Sequence, residues 1–507
     1  MFLKITTKKY GGKIYRHASL VETIRIKGKV VQRHIKNLGV LKSEDDEKKV
    51  NQLIETVKQG NKLVTLDEVN EKTLEYGVQL AVKSIWQSLS MAQFFNGMNT
   101  KSDINQILYM LITHRLHNYG SCNISEREGF RWIKDEAYTT LKAIDLHQFY
   151  RSLFILFSKK ELIEKHLCET LNNKREIVFY DLTSSYVEGS YEDSEIISYG
   201  YNRDKKKGKE QLVIGLLLAE GLPIAHKVWE GNTADKTTIH DAVTQAKGLG
   251  ITSFVFVADR GLITDENLLW LEDQKLEYIL ATKRRKDKLI SSLIVKSVTE
   301  KVTKVHEDGN RIYYLCYNEE VEKEQIDKLN EIKKKSIEKI NSIKKPTEHK
   351  VLRAVGKAKR LFTFSFENGF RYSINNAAWD YETKIAGKYI LVTNNHKLDK
   401  EMVCSTYKQL IDIEQCFGEL KHFEDMRPFF HKSDEGLKAH IFLCILTLLI
   451  ERIIKKNVRQ MSQREVVTEL KKIKLCKVKD NYVRTDLTQT QQDVLTQLGI
   501  EVPPKVM

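Results

Sequence analysis

The sequence predicts an α/β protein of several domains, built around one mixed sheet. The chain has 507 residues, 41% of them hydrophobic, which is enough for about three domains at roughly 150 residues each. Short apolar runs alternate with amphipathic stretches between about 174 and 281, in the order strand, hairpin, helix, strand, helix, strand. That order is typical of a single sheet with helices packed on it.

Residues 1–48 predict a basic β-hairpin arm. The first 42 residues contain eleven Lys and Arg against one acid, Glu22, and Ile24 and Ile26 alternate with charged residues before Gly28. Such a hairpin can present cations to phosphates, although edge lysines also serve simply to prevent aggregation. The DNA-contact candidates on this arm are Arg25, Lys27, Lys29 and Arg33.

The overall charge agrees with a polyanionic partner. The net charge is +15 and the sequence pI is about 9.1, which favours nucleic acid over other partners. Seven cysteines occur without any C-x-x-C pair, so neither a disulfide framework nor a zinc ribbon is predicted, and a reducing cytoplasm is expected. The most apolar run, 441–450, is too short to span a bilayer and predicts a buried core helix.

Residues 49–172 predict a helical domain, and residues 173–284 predict the first part of the central sheet. Within that part, the apolar run Ile177–Tyr180 ends in Asp181, and Phe254–Val257 leads to Asp259. Side chains at the carboxyl ends of neighbouring strands emerge at one edge of a sheet, where sites tend to form.

The rest of the chain, residues 285–507, divides into three predicted parts. Residues 285–386 are expected to form a β-rich insertion with a lysine-rich helix at about 322–344. Residues 387–460 restore the core pattern, and residues 461–507, mostly polar, are expected to be a peripheral C-terminal tail.

One helix is expected to complete the site. The stretch from Tyr407 to Lys421 places an apolar stripe on one helical face, consisting of Leu410, Ile413, Phe417 and Leu420. Tyr407, Glu414 and Lys421 recur every seven residues and lie along the border of that stripe.

Asp181, Asp259 and Glu414 together predict a metal site. Carboxylates held close together repel one another unless cations lie between them, and oxygen ligands suit Mg²⁺ or Mn²⁺. Each aspartate taken alone could instead be a strand-end turn residue or a helix cap. Cys416, His422 and His431 match no standard zinc spacing, so a core cysteine and structural histidines are expected there.

Several sequence blocks carry a family resemblance. REIVFYDLTSSY, GNTAD, VADRG and IEQCFGELKHFEDMRPFFH, together with the Tyr-x2-Arg-x3-Glu-x6-Lys spacing of Tyr407, Glu414 and Lys421, resemble the DDE transposases of bacterial insertion sequences. The similar group has a β-strand insertion before its last acid. Leu410 replaces the signature arginine, and its place in the apolar stripe predicts a core residue.

The resemblance implies an RNase H-like catalytic core with Asp181, Asp259 and Glu414 as catalytic residues holding two Mg²⁺ or Mn²⁺ ions. Water would cleave the phosphodiester at the element end, and the freed 3′-OH would attack target DNA without a covalent protein intermediate. Tyr407 and Lys421 would contact phosphates. Trp379 is a candidate for stacking on a flipped base, with a core tryptophan as the alternative.

The partners implied are double-stranded DNA with terminal inverted repeats, target DNA and a second copy of the chain in a synaptic homodimer, within the cytoplasm at the nucleoid and away from membranes. Two other functions stay open from the sequence. One is an RNase H-like nuclease that cuts without strand transfer, and the other is a domesticated DNA-binding protein, which the presence of all three acids disfavours.

Overall fold

The computed structural model describes residues 2–11, 13–26, 29–41, 46, 69–97, 102–119, 124–141, 144–171, 176–204, 206, 208–262, 264–282, 287–298, 300–367, 369–422, 426–427, 429–478 and 481–507. Contacts divide the chain into two compact units. The first unit consists of Met1–Leu74, Lys474–Asp486 and Pro503–Met507, and the second of Glu75–Ile473 and Leu487–Val502.

The described strands are β1 (Phe2–Tyr10), β2 (Lys13–Ile26), β3 (Lys29–Leu41), β4 (Val69–Glu75), β5 (Ile177–Tyr186), β6 (Gln211–Ala219), β7 (Leu222–Glu230), β8 (Val255–Ala258), β9 (Glu277–Ala281), β10 (Val302–Asp308), β11 (Arg311–Tyr317), β12 (Phe362–Ser365), β13 (Arg371–Ile374), β14 (Lys388–Thr393), β15 (Lys474–Val478) and β16 (Asn481–Arg484).

The described α-helices are α1 (Gly77–Ser88), α2 (Met91–Gly97), α3 (Ser102–His117), α4 (Glu126–Asp135), α5 (Leu146–Ser158), α6 (Lys160–Leu171), α7 (Ile239–Gly248), α8 (Asp265–Asp273), α9 (Lys288–Ile294), α10 (Glu319–Asn341), α11 (Glu348–Val355), α12 (Asn376–Lys384), α13 (Lys400–Lys408), α14 (Leu410–His422), α15 (Asp434–Asn457), α16 (Gln463–Lys471) and α17 (Gln489–Gln497). Short 3-10 turns lie at Asp235–Thr237, Arg260–Leu262 and Gly356–Leu361.

The first unit contains two small sheets. One is an antiparallel sheet of three strands in the order β1-β2-β3, in which β2 and β3 form a long hairpin with Ile26 opposite Lys29. The hairpin expected from the sequence thus has a third strand, β1, beside it. The other sheet has the order β16-β15-β4, and Tyr482 and Met507 exchange backbone hydrogen bonds of 2.8 Å at its edge.

The second unit is organised around an eight-stranded mixed sheet of order β10-β11-β14-β9-β8-β5-β6-β7. Two pairs, β5 with β8 and β8 with β9, are parallel, and the other pairs are antiparallel. The parallel strands are short and buried, as expected for strands covered on both faces. The predicted α/β architecture with a large mixed sheet is confirmed.

The helix α15 lies between the core of the helical region and a core of the sheet. Its residues Leu443, Leu446 and Ile450 pack with the helices of 77–171, while Ile441 and Ile445 pack against the sheet. A helix that is apolar all round has to be covered on every side, and α15 is covered in this way. Among the helices that the structure describes, none is long and apolar enough to cross a bilayer.

The C-terminal residues are not a peripheral tail, so this prediction is wrong. Val466 and Leu470 of α16 and Val494 and Leu495 of α17 are buried in the helical core, and β15 and β16 belong to the first unit. The polar composition hid these helices because each buries only a narrow stripe.

The segment between β9 and β14 is less rich in strands than the alternating runs predict. Its strands β10 and β11 extend the main sheet, and most of the rest is helical, including the lysine-rich α10. A separate small core, formed by Ile340, Val355, Leu361 and Phe362, holds α10, α11 and the β12–β13 hairpin together. The alternating runs RIYYLCY and RLFTFSF contain β11 and β12, whereas YSINNAAW begins in β13 and continues into the helix α12. Sequence spacing could not assign β11 to the main sheet.

Candidate active site

Asp181 lies inside β5, at the level where the strand loses its parallel neighbour. Residues 177–180 pair with β8, whereas β6 continues to pair with β5 as far as Tyr186, so that Asp181 lies opposite Leu216. The prediction that the strand ends at Asp181 is therefore wrong, because the antiparallel ladder carries it further. The Asp181 side chain is half-buried.

Asp259 directly follows β8 and its side chain is exposed. The parallel register pairs Tyr180 with Ala258, so Asp181 and Asp259 are the next residues on two neighbouring strands. Neighbouring strands lie about 4.8 Å apart. The backbone therefore brings the two aspartates side by side.

Strand alternation also places the two aspartates on one face of the sheet. Tyr180 and Ala258 pack into the core on one side, while Phe179 and Val257 pack into the core on the other side. Because successive side chains point to opposite faces, Asp181 and Asp259 continue the Phe179–Val257 side. That is the side covered by α14.

Glu414 reaches this face from α14. The helix buries the predicted stripe, with Leu410, Ile413, Phe417 and Leu420 each at most 8% exposed, and it packs against β5. Glu414 follows Ile413 directly, and its side chain is exposed. The helix is thus fixed by its apolar face and holds the carboxylate at the border of the core.

The predicted single helix is interrupted at Gln409. The Gln409 N–H donates to the carbonyl of Thr406, and the Asp412 N–H donates to the carbonyl of Gln409, which tightens the chain into a turn. Tyr407 therefore lies on α13 rather than on the helix of Glu414 and Lys421. No proline or glycine marks this break, so the residue spacing could not reveal it.

The charges around Asp181 act on its carboxyl group. Its pKa is raised to about 7, chiefly by burial; the negative charges of Asp259 and Glu414 also raise it, whereas the Leu182 N–H and the charge of Arg203 lower it. A cation bound beside Asp181 would stabilise its ionised form, because it would offset the repulsion from Asp259 and Glu414.

Tyr407 contacts a carboxylate in this structure. Its hydroxyl donates to Asp259 Oδ1 at 2.9 Å, and its ring packs against that of Tyr389 at a centroid distance of 5.8 Å. The family resemblance implies a contact between Tyr407 and a DNA phosphate, but the described contact orients Asp259.

Arg203 is a site residue that sequence reasoning missed. Its guanidinium lies 2.8 Å from Asp235 Oδ2, and its charge lowers the pKa of Asp181. Its backbone N–H donates to Ser184 Oγ at 2.9 Å, which ties the loop to β5. The only sequence signal was a charged loop, RDKKKGK, which is typical of a solvated surface.

Lys421 is bound by an acid of the same loop. Its Nζ donates to Asp204 Oδ1 at 3.0 Å, while Arg427 donates to Asp204 Oδ2 at 2.9 Å. Neither Asp204, in the lysine-rich loop RDKKKGK, nor Arg427 is among the site residues that the sequence predicts.

The basic residues of the N-terminal sheet belong to the first unit. Arg25 and Lys29 are exposed, and Arg33 forms an ion pair with Glu22 across the hairpin. Lys27 lies outside the described residues. Exposed cations on a two-stranded ribbon are accessible to phosphates, although the ion pair neutralises Arg33 in part.

Trp379 lies on α12 in the segment between β9 and β14. Its half-buried ring packs against the small core of that segment, and Lys333 Nζ lies 4.6 Å from its ring centroid. These contacts are those of a core tryptophan.

Among the described residues, a second group has the chemistry of metal ligands. Glu126, His431 and His440 place their ligand atoms within 4.8 Å of one another, but Arg115 also donates to Glu126 Oε1 at 2.9 Å. Arg115 and the two histidines lower the pKa of Glu126 against the effect of its burial. The cluster is thus charge-balanced and hydrogen-bonded without an ion, in agreement with His431 as a structural histidine.

Asp181, Asp259 and Glu414 are spread more widely than that cluster, since they do not form a group within 4.8 Å. Sites with two metal ions hold them about 4 Å apart, so their ligands need not converge on one point.

Two family profiles match this chain. The profile of the "Transposase DDE domain" matches residues 172–450, more than half of the chain, and that of the "IS1634 family transposase, N-terminal domain" matches residues 3–67. No curated protein sequence matches significantly. Among solved structures, the chain is similar to a piggyBac transposase in a synaptic complex with hairpin DNA, at 9% identity, with 78% of this chain and 79% of that chain covered and a TM-score of 0.38. That structural likeness is too distant to support an argument.

Both profiles describe transposases, and the first covers the sheet and helix that bring Asp181, Asp259 and Glu414 together. Members of this family act on DNA and generally use divalent metal ions. The chain therefore belongs to the DDE transposases of bacterial insertion sequences, and it is a DNA transposase.

Proposed function

We propose that Asp181, Asp259 and Glu414 are the catalytic residues and that they bind two divalent metal ions, Mg²⁺ or Mn²⁺. The observation that carries this proposal is the β5–β8 register, which sets Asp181 beside Asp259 on the face covered by the helix of Glu414. The negative charges of Asp259 and Glu414, which both raise the pKa of Asp181, support it.

The donor set suits such ions. All three groups are carboxylates, which Mg²⁺ and Mn²⁺ prefer, and no lysine is bonded to any of them among the described ion pairs. When bound, two such ions activate water and neutralise the charge that develops on a phosphodiester during in-line displacement.

The chain's own residues hold the site in place. The β6 ladder fixes Asp181, and the Tyr407 hydroxyl fixes Asp259. The buried stripe of α14 fixes Glu414. A site anchored on a strand, a strand end and a packed helix requires little reorganisation when substrate binds.

We propose that the reaction follows cut-and-paste chemistry. The oxygen of water forms a bond to phosphorus at the element end, and the bond to the 3′ oxygen breaks, which frees a 3′-OH. That 3′-OH then attacks a phosphodiester of target DNA, so that one P–O bond forms as another breaks. Neither step needs a covalent bond to the protein.

The topology supports an RNase H-like core. Strands β5, β6 and β7 form an antiparallel meander, and β8 and β9 extend it in parallel from β5. We propose that residues 173–284 and 387–460 make up this core, with 285–386 as the insertion, and that the parts before it, 1–48 and 49–172, bind DNA.

The proposed substrate complex contains two element ends with terminal inverted repeats, held by a homodimer, and a target duplex at the nucleoid. Arg25, Lys27, Lys29 and Arg33 would contact phosphates from the N-terminal arm, and Lys421 would do so near the cleaved end. The net charge of +15 supports binding to a polyanion of this size.

Cleavage and joining of a labelled end duplex in Mg²⁺ test this function. Asp181→Asn, Asp259→Asn and Glu414→Gln should each reduce both reactions by at least about 10³-fold and leave DNA affinity nearly unchanged. Glu188→Gln changes an exposed carboxylate of the same sheet region and serves as the control. Cut ends without joined products would indicate a nuclease, and full activity of any of the three variants would refute the assignment.

A further inference from the structure

Asp204 bridges two cations at the edge of the candidate active site. Its Oδ1 accepts from Lys421 Nζ at 3.0 Å and its Oδ2 accepts from Arg427 Nη1 at 2.9 Å. The cations are largely covered, with side chains 10% and 15% exposed, whereas Asp204 is 24% exposed. Water and solutes can therefore reach the acid more easily than its partners.

The two cations converge on the two oxygens of one anionic group. The Arg427 guanidinium stacks on the Tyr186 ring at 4.4 Å, and Lys421 extends from the packed helix α14. Each uses a different oxygen of the carboxylate, in the way that two cations share the oxygens of one phosphate. Asp204 thus occupies a site whose geometry also suits a phosphate.

This site lies close to the catalytic carboxylates. Lys421 is seven residues after Glu414 on α14, which corresponds to about 10 Å along the helix axis. Arg203, next to Asp204 in the chain, reaches toward Asp181 and Asp235. A DNA backbone bound at the active site would therefore pass within a few nucleotides of Lys421 and Arg427.

We propose that Lys421 and Arg427 form a binding site for one DNA backbone phosphate and that Asp204 fills this site in the DNA-free enzyme until the phosphate displaces it. This inference rests on the proposed function of Asp181, Asp259 and Glu414. It adds Arg427 as a DNA-contacting residue and gives Asp204 the role of an internal competitor.

The competition has a consequence for specificity. Any DNA that enters the site has to replace a charge-assisted pair already present, so loosely placed DNA gains little from Lys421 and Arg427. Only a backbone aligned with the active site offers a phosphate to both cations at once. Asp204 therefore weakens non-specific binding more than binding of the correct end.

DNA binding by Asp204 variants tests the competition. Fluorescence anisotropy with an end duplex, in Ca²⁺ so that no cleavage occurs, should show about five- to tenfold tighter binding for Asp204→Asn and Asp204→Ser than for the wild type. Asp193→Asn removes the same charge from an exposed acid and should change affinity less than twofold. Unchanged or weaker binding by both Asp204 variants, with unaltered thermal unfolding, would show a purely structural ion pair and overturn the proposal.

A second measurement identifies the phosphate. In the variant carrying Lys421→Gln and Arg427→Gln, the slope of log affinity against log salt should decrease by about 1, the value for one phosphate. Replacing single phosphates by neutral methylphosphonates should reveal one position near the cleaved bond that weakens wild-type binding and has no effect on this double variant. If every position affects both proteins equally, the proposed phosphate site does not exist.

The catalytic role of the three carboxylates and the phosphate site at Lys421 and Arg427 are tested independently. Loss of cleavage in Asp181→Asn, measured in Mg²⁺ on the same duplex, tests the catalytic assignment without involving Asp204. If the wild type cleaves DNA and Asp181→Asn does not, but substitutions of Asp204 and Arg427 leave DNA affinity unchanged, the proposed function stands and the proposed phosphate site is refuted.

Discussion

At the scale of single residues, the Tyr407 hydroxyl orients a proposed metal ligand. It donates to Asp259 Oδ1 at 2.9 Å and so fixes the orientation of that carboxylate. Hydrogen bonds of this kind typically contribute about ten- to a hundredfold to metal affinity or activity.

Tyr407→Phe should therefore lower the cleavage rate about tenfold while leaving DNA affinity almost unchanged. Tyr389→Phe is the matched control, because the hydroxyl of Tyr389 contacts Cys404 Sγ instead of a carboxylate. Single-turnover cleavage and anisotropy separate the two effects. A loss of DNA affinity with a normal rate would mean that Tyr407 contacts a phosphate instead.

Leu410 replaces an arginine of the family signature, and its side chain is buried with Ile413 and Cys416 against the sheet. Leu410→Arg should not improve activity, and it should lower the free energy of unfolding by about 2 kcal/mol because it brings a charge to a packed position. Leu410→Met, which conserves volume, should cost less than about 1.5 kcal/mol. Urea unfolding and cleavage assays measure both effects, and a gain in cleavage by the arginine variant would contradict the core assignment.

Sequence patterns point to the proposed acids more directly than to their surroundings. Asp259 and Glu414 stand out as candidates because an apolar strand and an apolar helical stripe lead to them. Arg203, Asp204 and Arg427 could not, since loop residues have no periodicity and their partners lie far apart in the chain. For Trp379 the sequence allows either stacking on a flipped base or packing in a core, and its contacts with Lys333 and the small core favour packing.

At the scale of elements, the packing of α1 on α16 depends on one glycine. A Cβ placed on Gly77 would lie 2.1 Å from the carbonyl oxygen of Leu470 and 2.8 Å from Ile473 Cβ. The two helices can approach this closely only because residue 77 has no side chain.

Gly77→Ala should lower the free energy of unfolding by about 3 kcal/mol, the upper range for overpacking. Gly97→Ala is the matched control, because a Cβ at Gly97 meets no atom within 4 Å and alanine is the better helix former. Chemical denaturation of both variants provides the comparison. Equal stability of the two variants would show that α16 does not pack on α1 in solution.

Periodicity predicted most strands and helices but not how they associate. It identified β5, β8 and β14, since each is a buried apolar run. It placed β10 and β11 in an insertion because the order of strands in a sheet follows from tertiary pairing. It also missed the interruption at Gln409. This break results from local backbone hydrogen bonds of Gln409, and no proline or glycine in the sequence marks it.

At the scale of the whole molecule, buried ionisable clusters connect elements far apart in the chain. Glu164 of α6 accepts hydrogen bonds from the backbone N–H of His226 on β7 at 3.1 Å and from Gln245 on α7 at 3.0 Å. Burial lowers the pKa of His226 to about 4, and burial lowers that of His114 to about 3. Both histidines are therefore neutral in the folded protein at neutral pH.

Stability should consequently decrease in mild acid. In the unfolded chain these histidines bind protons below about pH 6.5, whereas the folded protein binds them only near pH 4 and 3. The unfolded state thus binds more protons between those values, and each histidine lowers the free energy of unfolding by about 2 kcal/mol between pH 7 and pH 5.

Urea unfolding of the wild type and of His226→Asn at pH 7 and pH 5 tests this prediction. The variant is expected to be less stable than the wild type at pH 7, and its further loss on going to pH 5 should be smaller by about 2 kcal/mol. An identical pH dependence of the two proteins would exclude a neutral buried His226.

The central claim is that Asp181, Asp259 and Glu414 together hold the metal ions of a transposase. The most direct test is a Mn²⁺ titration, followed by electron paramagnetic resonance, of the protein bound to an already cleaved end duplex. The wild type and the Glu188→Gln control should bind two ions per chain, and Asp181→Asn, Asp259→Asn and Glu414→Gln should each lose at least one. Binding of two ions with wild-type affinity by any of the three variants would contradict the account.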